Sequence, residues 1–253
     1  MCVLTFAWQA HPRWRLVVAG NRDELHARPA APLARWGEPA HVLAGRDLQS
    51  GGSWLGVSEQ GRFVVVTNLR GFGVPTPDKV SRGRLVTDLL SGGGDYGDPE
   101  QADLSDFNPF NLIMADRAQA RFLSNRPTTA RVRLEHGIYG LSNGALDEPW
   151  PKTTHLKACL LDWIVAGATG PETLLEALAI ETLPDVGLRP PEPSDAPQEP
   201  QDSPIFIRNP VYGTRCSTVV AIDAVGQGVM FERRFGPNGE PAGDTRLTFA
   251  WRG

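Results

Sequence analysis

Leu16-Val17-Val18-Ala19-Gly20-Asn21-Arg22-Asp23-Glu24 sets a short apolar run directly against four polar or charged residues. The apolar half has the composition of a buried strand, so the tetrad is expected at that strand's C-terminal mouth. A guanidinium flanked by an amide and two carboxylates can hold a charge, orient a nucleophile or pair internally. A solvated turn closing a hairpin is the plainer explanation of such a tetrad, but the start of the chain weighs against it. Cys2 to Trp8 is a second apolar run, and the turn at His11-Pro12-Arg13 folds it back antiparallel on the first, which places Cys2 near the Arg22/Asp23 end.

Strand follows strand as far as Thr67. Cys2–Trp8, Arg15–Ala19, His41–Ala44, Ser53–Ser58 and Arg62–Thr67 are short β-type runs divided by Pro, Gly and polar turns. Gly45-Arg46-Asp47, leading to Gly51-Gly52-Ser53-Trp54-Leu55-Gly56, reads as a Gly-rich turn into a strand; lacking the Lys-Ser/Thr pair, it is no phosphate loop. Helical periodicity begins between Lys79 and Leu90. There Leu85, Val86, Leu89 and Leu90 share a stripe, Asp78 is the expected N-cap and Gly92-Gly93-Gly94 the stop.

Phe110–Ala115, Ala120–Leu123, Arg131–Leu134 and Ile138–Leu141 are further strands. A second helix, capped by Thr153 or Thr154, carries Leu156, Leu160, Trp163 and Ile164 at helical spacing and Cys159 as a small core residue. A third runs from Pro171 to Ile180. Pro184 to Pro204, rich in Pro, Asp, Glu, Gln and Ser, is a surface excursion with little to bury. Phe206–Ile207, Thr218–Asp223 and Gly228–Phe235 then return to strand pattern, with Gly226-Gln227-Gly228 as a hairpin turn. Segregated strands and helices, rather than strict βα alternation, point to an α+β protein with antiparallel sheets, and 253 residues allow one large domain or two small ones.

A net charge of −4 on 253 residues argues against nucleic acid or an anionic membrane as the main partner and for a small-molecule ligand. The apolar run at the chain start is short and lacks a basic start and a cleavage pattern, and nothing reaches the length of a membrane span. Cys2, Cys159 and Cys216 form neither a metal spacing nor an even disulfide framework, so a reducing, cytoplasmic setting is expected. His11, His26, His41, His136 and His155 show no clustered ligand pattern, which leaves a single axial haem ligand as the metal chemistry still open to them.

Gly140-Leu141-Ser142-Asn143-Gly144 fits the nucleophile elbow of serine hydrolases, but that elbow needs a helix directly after it. Pro149 and Pro151 are expected to delay one, and His155 is the lone downstream histidine. What remains is Cys2 with Asn21-Arg22-Asp23-Glu24, Asn68, Asn143 and Arg215, each polar member bordering an apolar strand. Once the initiator methionine is clipped, Cys2 carries a thiol and an α-amine of pKa about 7.7–8.0, so nucleophile and base share one residue. Arg22 or Arg215 would favour the thiolate, and Asn68 and Asn143 could serve an oxyanion. The same residues could equally form a satisfied structural network around a buried strand cysteine.

Met1-Cys2, Asn21-Arg22-Asp23-Glu24, Gly51-Gly52-Ser53-Trp54-Leu55-Gly56, Thr67-Asn68, Gly140 to Gly144 with Pro149-Trp150-Pro151-Lys152, and Gly213-Thr214-Arg215-Cys216-Ser217-Thr218 occur here together and in order. In this the chain resembles the NRDE-motif family, transport and Golgi organisation protein 2-like. That family in turn resembles the N-terminal-nucleophile hydrolases of the choloylglycine and penicillin V acylase type. The resemblance implies an αββα sandwich of two antiparallel sheets covered by helices, a single domain over residues 1–253. It also implies Cys2 as nucleophile, Asp23 as the carboxylate holding it and its amine, Asn143 on the oxyanion side, Arg215 as the late arginine and Asn68 as a further site residue. Those acylases show Gly-Arg-Asn-x-Asp, whereas this chain has Gly20-Asn21-Arg22-Asp23, so Arg22 is displaced relative to the Asp. Two functions are compatible with it: an amide- or thioester-cleaving hydrolase that needs no cofactor, or a carrier or chaperone that holds haem or an acyl-CoA or lipid in the same cleft.

Overall fold

The computed structural model describes residues 2–183 and 203–252. Most of the Pro-rich excursion therefore lies outside the described residues. The chain divides into two compact units, Met1–Ala27 with His136–Thr248, and Arg28–Glu135 with Phe249–Gly253.

The first unit opens with β1 (Cys2–His11) and β2 (Trp14–Leu25). Their hairpin pairs Cys2 with Arg22, Leu4 with Gly20 and Trp8 with Leu16. The tetrad Asn21 to Glu24 is not a loop at a strand mouth, because β2 runs through it to Leu25. Asn21, Arg22 and Asp23 are buried. A strand sealed on both faces gives a continuous apolar run, and here that run ends before the strand does.

The second unit holds a seven-stranded sheet in simple sequential order. Its strands are β3 (Ala30–Arg35), β4 (Val42–Asp47), β5 (Leu55–Ser58), β6 (Arg62–Asn68), β7 (Phe110–Ala115), β8 (Ala120–Ser124) and β9 (Ala130–Leu134). Gly45-Arg46-Asp47 completes β4 rather than forming a turn. Helix α1 (Arg82–Ser91) lies against this sheet, with Leu85, Val86, Leu89 and Leu90 packed on Val64, Val66, Phe110 and Leu112. Burying each such leucine stabilises the unit by about 1.5–3 kcal/mol. Its N-cap is Ser81, whose hydroxyl accepts from the Gly83 N–H, and not Asp78. Val80 still forms a strand bridge with Phe107, so the backbone cannot turn helical until the next residue. Gly92 caps the C-terminus with φ 69°, the left-handed conformation that glycine adopts without strain.

The chain returns to the first unit with β10 (Gly137–Leu141) and helix α2 (Pro151–Val165), followed by a 3-10 turn at Pro171–Thr173 and the short α3 (Leu174–Ala177). Pro151 does not delay α2 but begins it, since a first-turn residue has no intrahelical partner for its missing N–H. Thr153 and Thr154 accordingly lie inside the helix, and Cys159 is half-buried rather than a core residue. The single helix expected from Pro171 to Ile180 is broken in two. Phe206 and Ile207 are buried but not part of a strand.

β11 (Tyr212–Asp223), β12 (Gln227–Phe235) and β13 (Pro241–Ala250) complete a six-stranded sheet of order β10-β1-β2-β11-β12-β13. Val3 and Ala7, Val17 and Ala19, and Val219 and Ala221 alternate on one face beneath Leu156 and Leu160 of α2 and Leu174 and Leu175 of α3. Both sheets are antiparallel and each carries helix, the α+β composition expected from the sequence.

Candidate active site

Four side chains form a rung across the first unit's sheet, because Cys2 pairs with Arg22, Arg22 with Cys216 and Cys216 with Arg234. Directly paired residues share a face, so these four point the same way. Asn21 and Asp23 point to the opposite face, the one under α2 and α3. Asn21 shows this directly: its Nδ2 donates to the carbonyls of Leu178 and Ile205, both at 2.8 Å, and its Oδ1 accepts from Ser217 Oγ at 2.7 Å. These bonds make it a structural knot between sheet and helix layer.

Asp23 would be opposed by the residue before Cys216, but β11 carries an extra residue there. The register shifts between Thr214 and Cys216, with Arg215 as the bulged residue, and Asp23 pairs with Thr214. Thr214 Oγ1 then donates to Asp23 Oδ1 at 2.7 Å while accepting from the Ile207 N–H at 2.9 Å. Tyr212 donates its hydroxyl to the Asp23 carbonyl at 3.0 Å.

Cys2 is held from both neighbouring strands. Its backbone N–H donates to Asn143 Oδ1 at 3.1 Å, and its carbonyl accepts from Ser142 Oγ at 2.6 Å. Ser142 is therefore a clamp on the cysteine and no elbow nucleophile. The loop that carries Ser142 and Asn143 is pinned by Asp147, whose Oδ1 accepts from the Gly140 N–H at 2.7 Å and from Lys157 Nζ of α2 at 2.6 Å. Burial is the largest influence on the Cys2 thiol and pushes it up, joined by the Asp23 charge, while the chain's amino-terminal charge, a main-chain hydrogen bond from Asp23 and Arg22 favour the thiolate. Burial likewise raises the Asp23 carboxyl, opposed by the chain's amino-terminal charge, Lys152, the Thr214 bond and Arg22.

Cys2, Arg22, Asp23 and Asn143 are thus brought together. Arg215 stands beside them on the bulge, its Nη1 donating to the carbonyls of Leu25 at 2.8 Å and His26 at 3.3 Å, where burial and then Arg22 lower its pKa. Asn68 ends β6 in the second unit, exposed, opposite Phe110. Lys152 is the residue that reading the sequence missed. It lies at the second position of α2, is 0 % exposed, and donates to Ser203 Oγ at 2.7 Å. The signal was its place in the Pro-Trp-Pro-Lys run, a lysine at a helix N-terminus where the macrodipole disfavours it. Ser203 and Pro204, assigned above to the surface excursion, are buried. Among the described residues no group of three or more His, Cys, Asp or Glu is placed to hold a metal ion, and no helix is long and apolar enough to cross a membrane.

Cys2 opens β1, the second strand of a six-stranded antiparallel sheet, between β10 and β2 and with Asp23 and Asn143 beside it, and solved structures of N-terminal-nucleophile hydrolases share this two-sheet fold. A mutant of conjugated bile acid hydrolase from Clostridium perfringens matches 98 % of this chain and 92 % of its own at TM-score 0.55 and 8 % identity. A second variant of that enzyme matches 97 % and 92 % at TM-score 0.57 and 7 % identity. At such identities the likeness is one of fold. The chain belongs to the Transport and Golgi organisation 2 family, whose profile covers residues 1–237. Its relatives include the Transport and Golgi organization protein 2 homolog of Bos taurus, 33 % identical over 92 % of each chain, and Transport and Golgi organization protein 2 of Drosophila melanogaster, 27 % identical over 88 % of each.

Proposed function

We propose that the protein is a hydrolase that opens an amide or thioester bond of a small molecule with Cys2 as its nucleophile. The observation that carries this reading is the hold on the Cys2 nitrogen: Asn143 Oδ1 accepts from it at 3.1 Å while the Asp23 main chain bonds the thiol of the same residue. Once Met1 is removed, that nitrogen is an amine, and an amine beside its own thiol can take the thiol's proton. The thiolate then adds to the substrate carbonyl, and the ammonium returns the proton to the departing amine or thiol. A thioester to Cys2 remains, which water cleaves with the amine again as base. Asp23 stabilises the ammonium form in between. The bile acid hydrolase that shares the fold is, as its name says, a hydrolase of a conjugated small molecule, which supports the substrate class without naming the substrate.

The test is intact mass spectrometry of natively produced protein, alone and after incubation with a panel of N-acyl amides and acyl thioesters. Loss of Met1 and an acyl adduct on Cys2 that vanishes in Cys2→Ala are the expected results. Retained Met1, no adduct, and equal ligand binding by wild type and Cys2→Ala would overturn the reading and return a carrier of haem or acyl-CoA in its place.

A further inference from the structure

The Lys152 side chain is fully buried. Removing an ammonium from water is costly unless something inside the protein answers its charge, and a leucine or methionine would fill the space at lower cost. The first turn of a 15-residue helix adds to that cost, because its exposed N–H groups already carry positive partial charge. Its ammonium donates to Ser203 Oγ at 2.7 Å, and the Trp150 ring lies 5.9 Å away. Asp23 is a carboxylate its charge reaches, drawing the Asp23 carboxyl down against the upward push of burial.

The placement of the two follows from the sheet. Asp23 projects to the helix face of β2, where the bulge at Arg215 aligns Thr214 with it, and α2 brings Lys152 to that face over β1 and β10. The Cys2 nitrogen lies on β1 alongside, held by Asn143. The remaining charged and titratable groups around Asp23 are the Cys2 thiol on β1, Arg22 and Glu24 on β2 itself, Arg215 on β11 and the amino-terminal charge.

We propose that Lys152 is a positioning residue of this site: fixed to Ser203, its ammonium keeps the Asp23 carboxylate ionised and turned to the Cys2 amine. The proposal deepens the hydrolase reading and rests on it for its catalytic meaning. The charge relation itself is open to measurement whether or not a substrate is found. It also gives the buried end of the Pro-rich excursion a task, since Ser203 is the hydroxyl that holds the ammonium in place.

The experiment follows the Asp23 carboxyl by carbon NMR in full-length protein labelled at aspartate, with Asp23→Asn identifying the resonance. In Lys152→Met the titration midpoint should rise by about one pH unit or more, the size of an adjacent cation's effect, and Lys152→Arg should bring it back towards wild type. Ser203→Ala, which keeps the charge but frees it, should raise the midpoint by less, and it serves if Lys152→Met does not fold. If a substrate turns over, the acid limb of kcat/KM should move upward with the midpoint. A midpoint unmoved in every folded variant overturns the proposal. Wild type that titrates as expected but never forms an acyl adduct sinks the hydrolase reading alone.

Discussion

The backbone nitrogen of Cys2 and Oδ1 of Asn143 meet at 3.1 Å although 141 positions separate them in the chain. The contact exists because β10 pairs with β1 in a register that sets Leu141 opposite Leu4, so the residues just beyond Leu141 arrive at the start of β1. In this structure Asn143 is first a holder of the nucleophile's nitrogen, and only by analogy a donor to an oxyanion.

Replacing Asn143 by alanine should therefore cost both stability and rate. The side chain is 1 % exposed, and its loss removes the Oδ1 acceptor of the Cys2 nitrogen, worth about 1–3 kcal/mol of unfolding free energy. Turnover should fall by a further factor of roughly a hundred, as when a positioned polar partner leaves an acyl-transfer site. Urea unfolding and kcat/KM measured on the same preparation separate the two. A variant as stable and as fast as wild type would mean that the contact is incidental.

Arg215→Ala should behave differently. Its guanidinium clasps the carbonyls of Leu25 and His26 where β2 ends, so the expected loss is about 1 kcal/mol or more of stability, with the rate of the surviving folded fraction little changed. Stopped-flow turnover corrected for folded fraction tests this. A folded variant that has lost its rate would instead place Arg215 in the chemistry, as the acylase resemblance implies.

The contrast between these two residues shows where the sequence was legible. β7 coincides with the stretch read from it, Phe110–Ala115, and α1 was found by its buried stripe, because period and burial agree there. The site was legible as residue types bordering apolar runs, and the pairing of Cys2 with the Arg22 end followed from one turn. Its geometry was not. Buried Asn21 and Asp23 look like loop residues in a string, since only the tertiary partners Leu178, Ile205, Ser217 and Thr214 make their burial affordable. β13 escaped notice for the opposite reason: much of it is exposed, so its residues carry no apolar pattern to find.

The Gly51-Gly52 pair, which reads as a loop motif, is expected to be a packing device. A Cβ on Gly52 would fall onto the backbone of Gly83 in α1, and the neighbouring Ser53 N–H donates to the Gly83 carbonyl at 3.3 Å. Backbone cannot yield as a flexible side chain does, so Gly52→Ala should destabilise by about 1–3 kcal/mol or more through overpacking. Gly51→Ala, where the added carbon meets open space but φ is 79°, isolates the conformational cost alone. Thermal unfolding of both variants checks the pair. Gly52→Ala melting with wild type would show that α1 can shift away freely.

The pH dependence of Cys2 alkylation follows from the groups around its thiol. Only the thiolate reacts with iodoacetamide, and burial first, then the Asp23 charge, push this thiol up, while the Asp23 main-chain bond and Arg22 pull it down. The chain's amino-terminal charge pulls it down more than either, yet the balance is upward, so labelling at neutral pH should be slow and should rise through a midpoint above the ordinary thiol value of about 8.5. Asp23→Asn removes a raising influence and should shift that midpoint down; Arg22→Gln removes a lowering one and should shift it up. Cys216, buried and held far higher by burial and by Glu232, should stay unlabelled in folded protein. The same sign governs stability. A thiol whose folded pKa exceeds its unfolded one contributes stability that is complete below about pH 8.5 and is lost as pH rises through the folded value, so urea midpoints should fall in alkali. Labelling followed by peptide mass mapping across the alkaline range measures the thiol midpoints, and urea titrations over the same range measure the stability. A Cys2 midpoint below the ordinary value, or Cys216 reacting first, would show that the buried, Asp23-flanked thiol described here is not the one in solution.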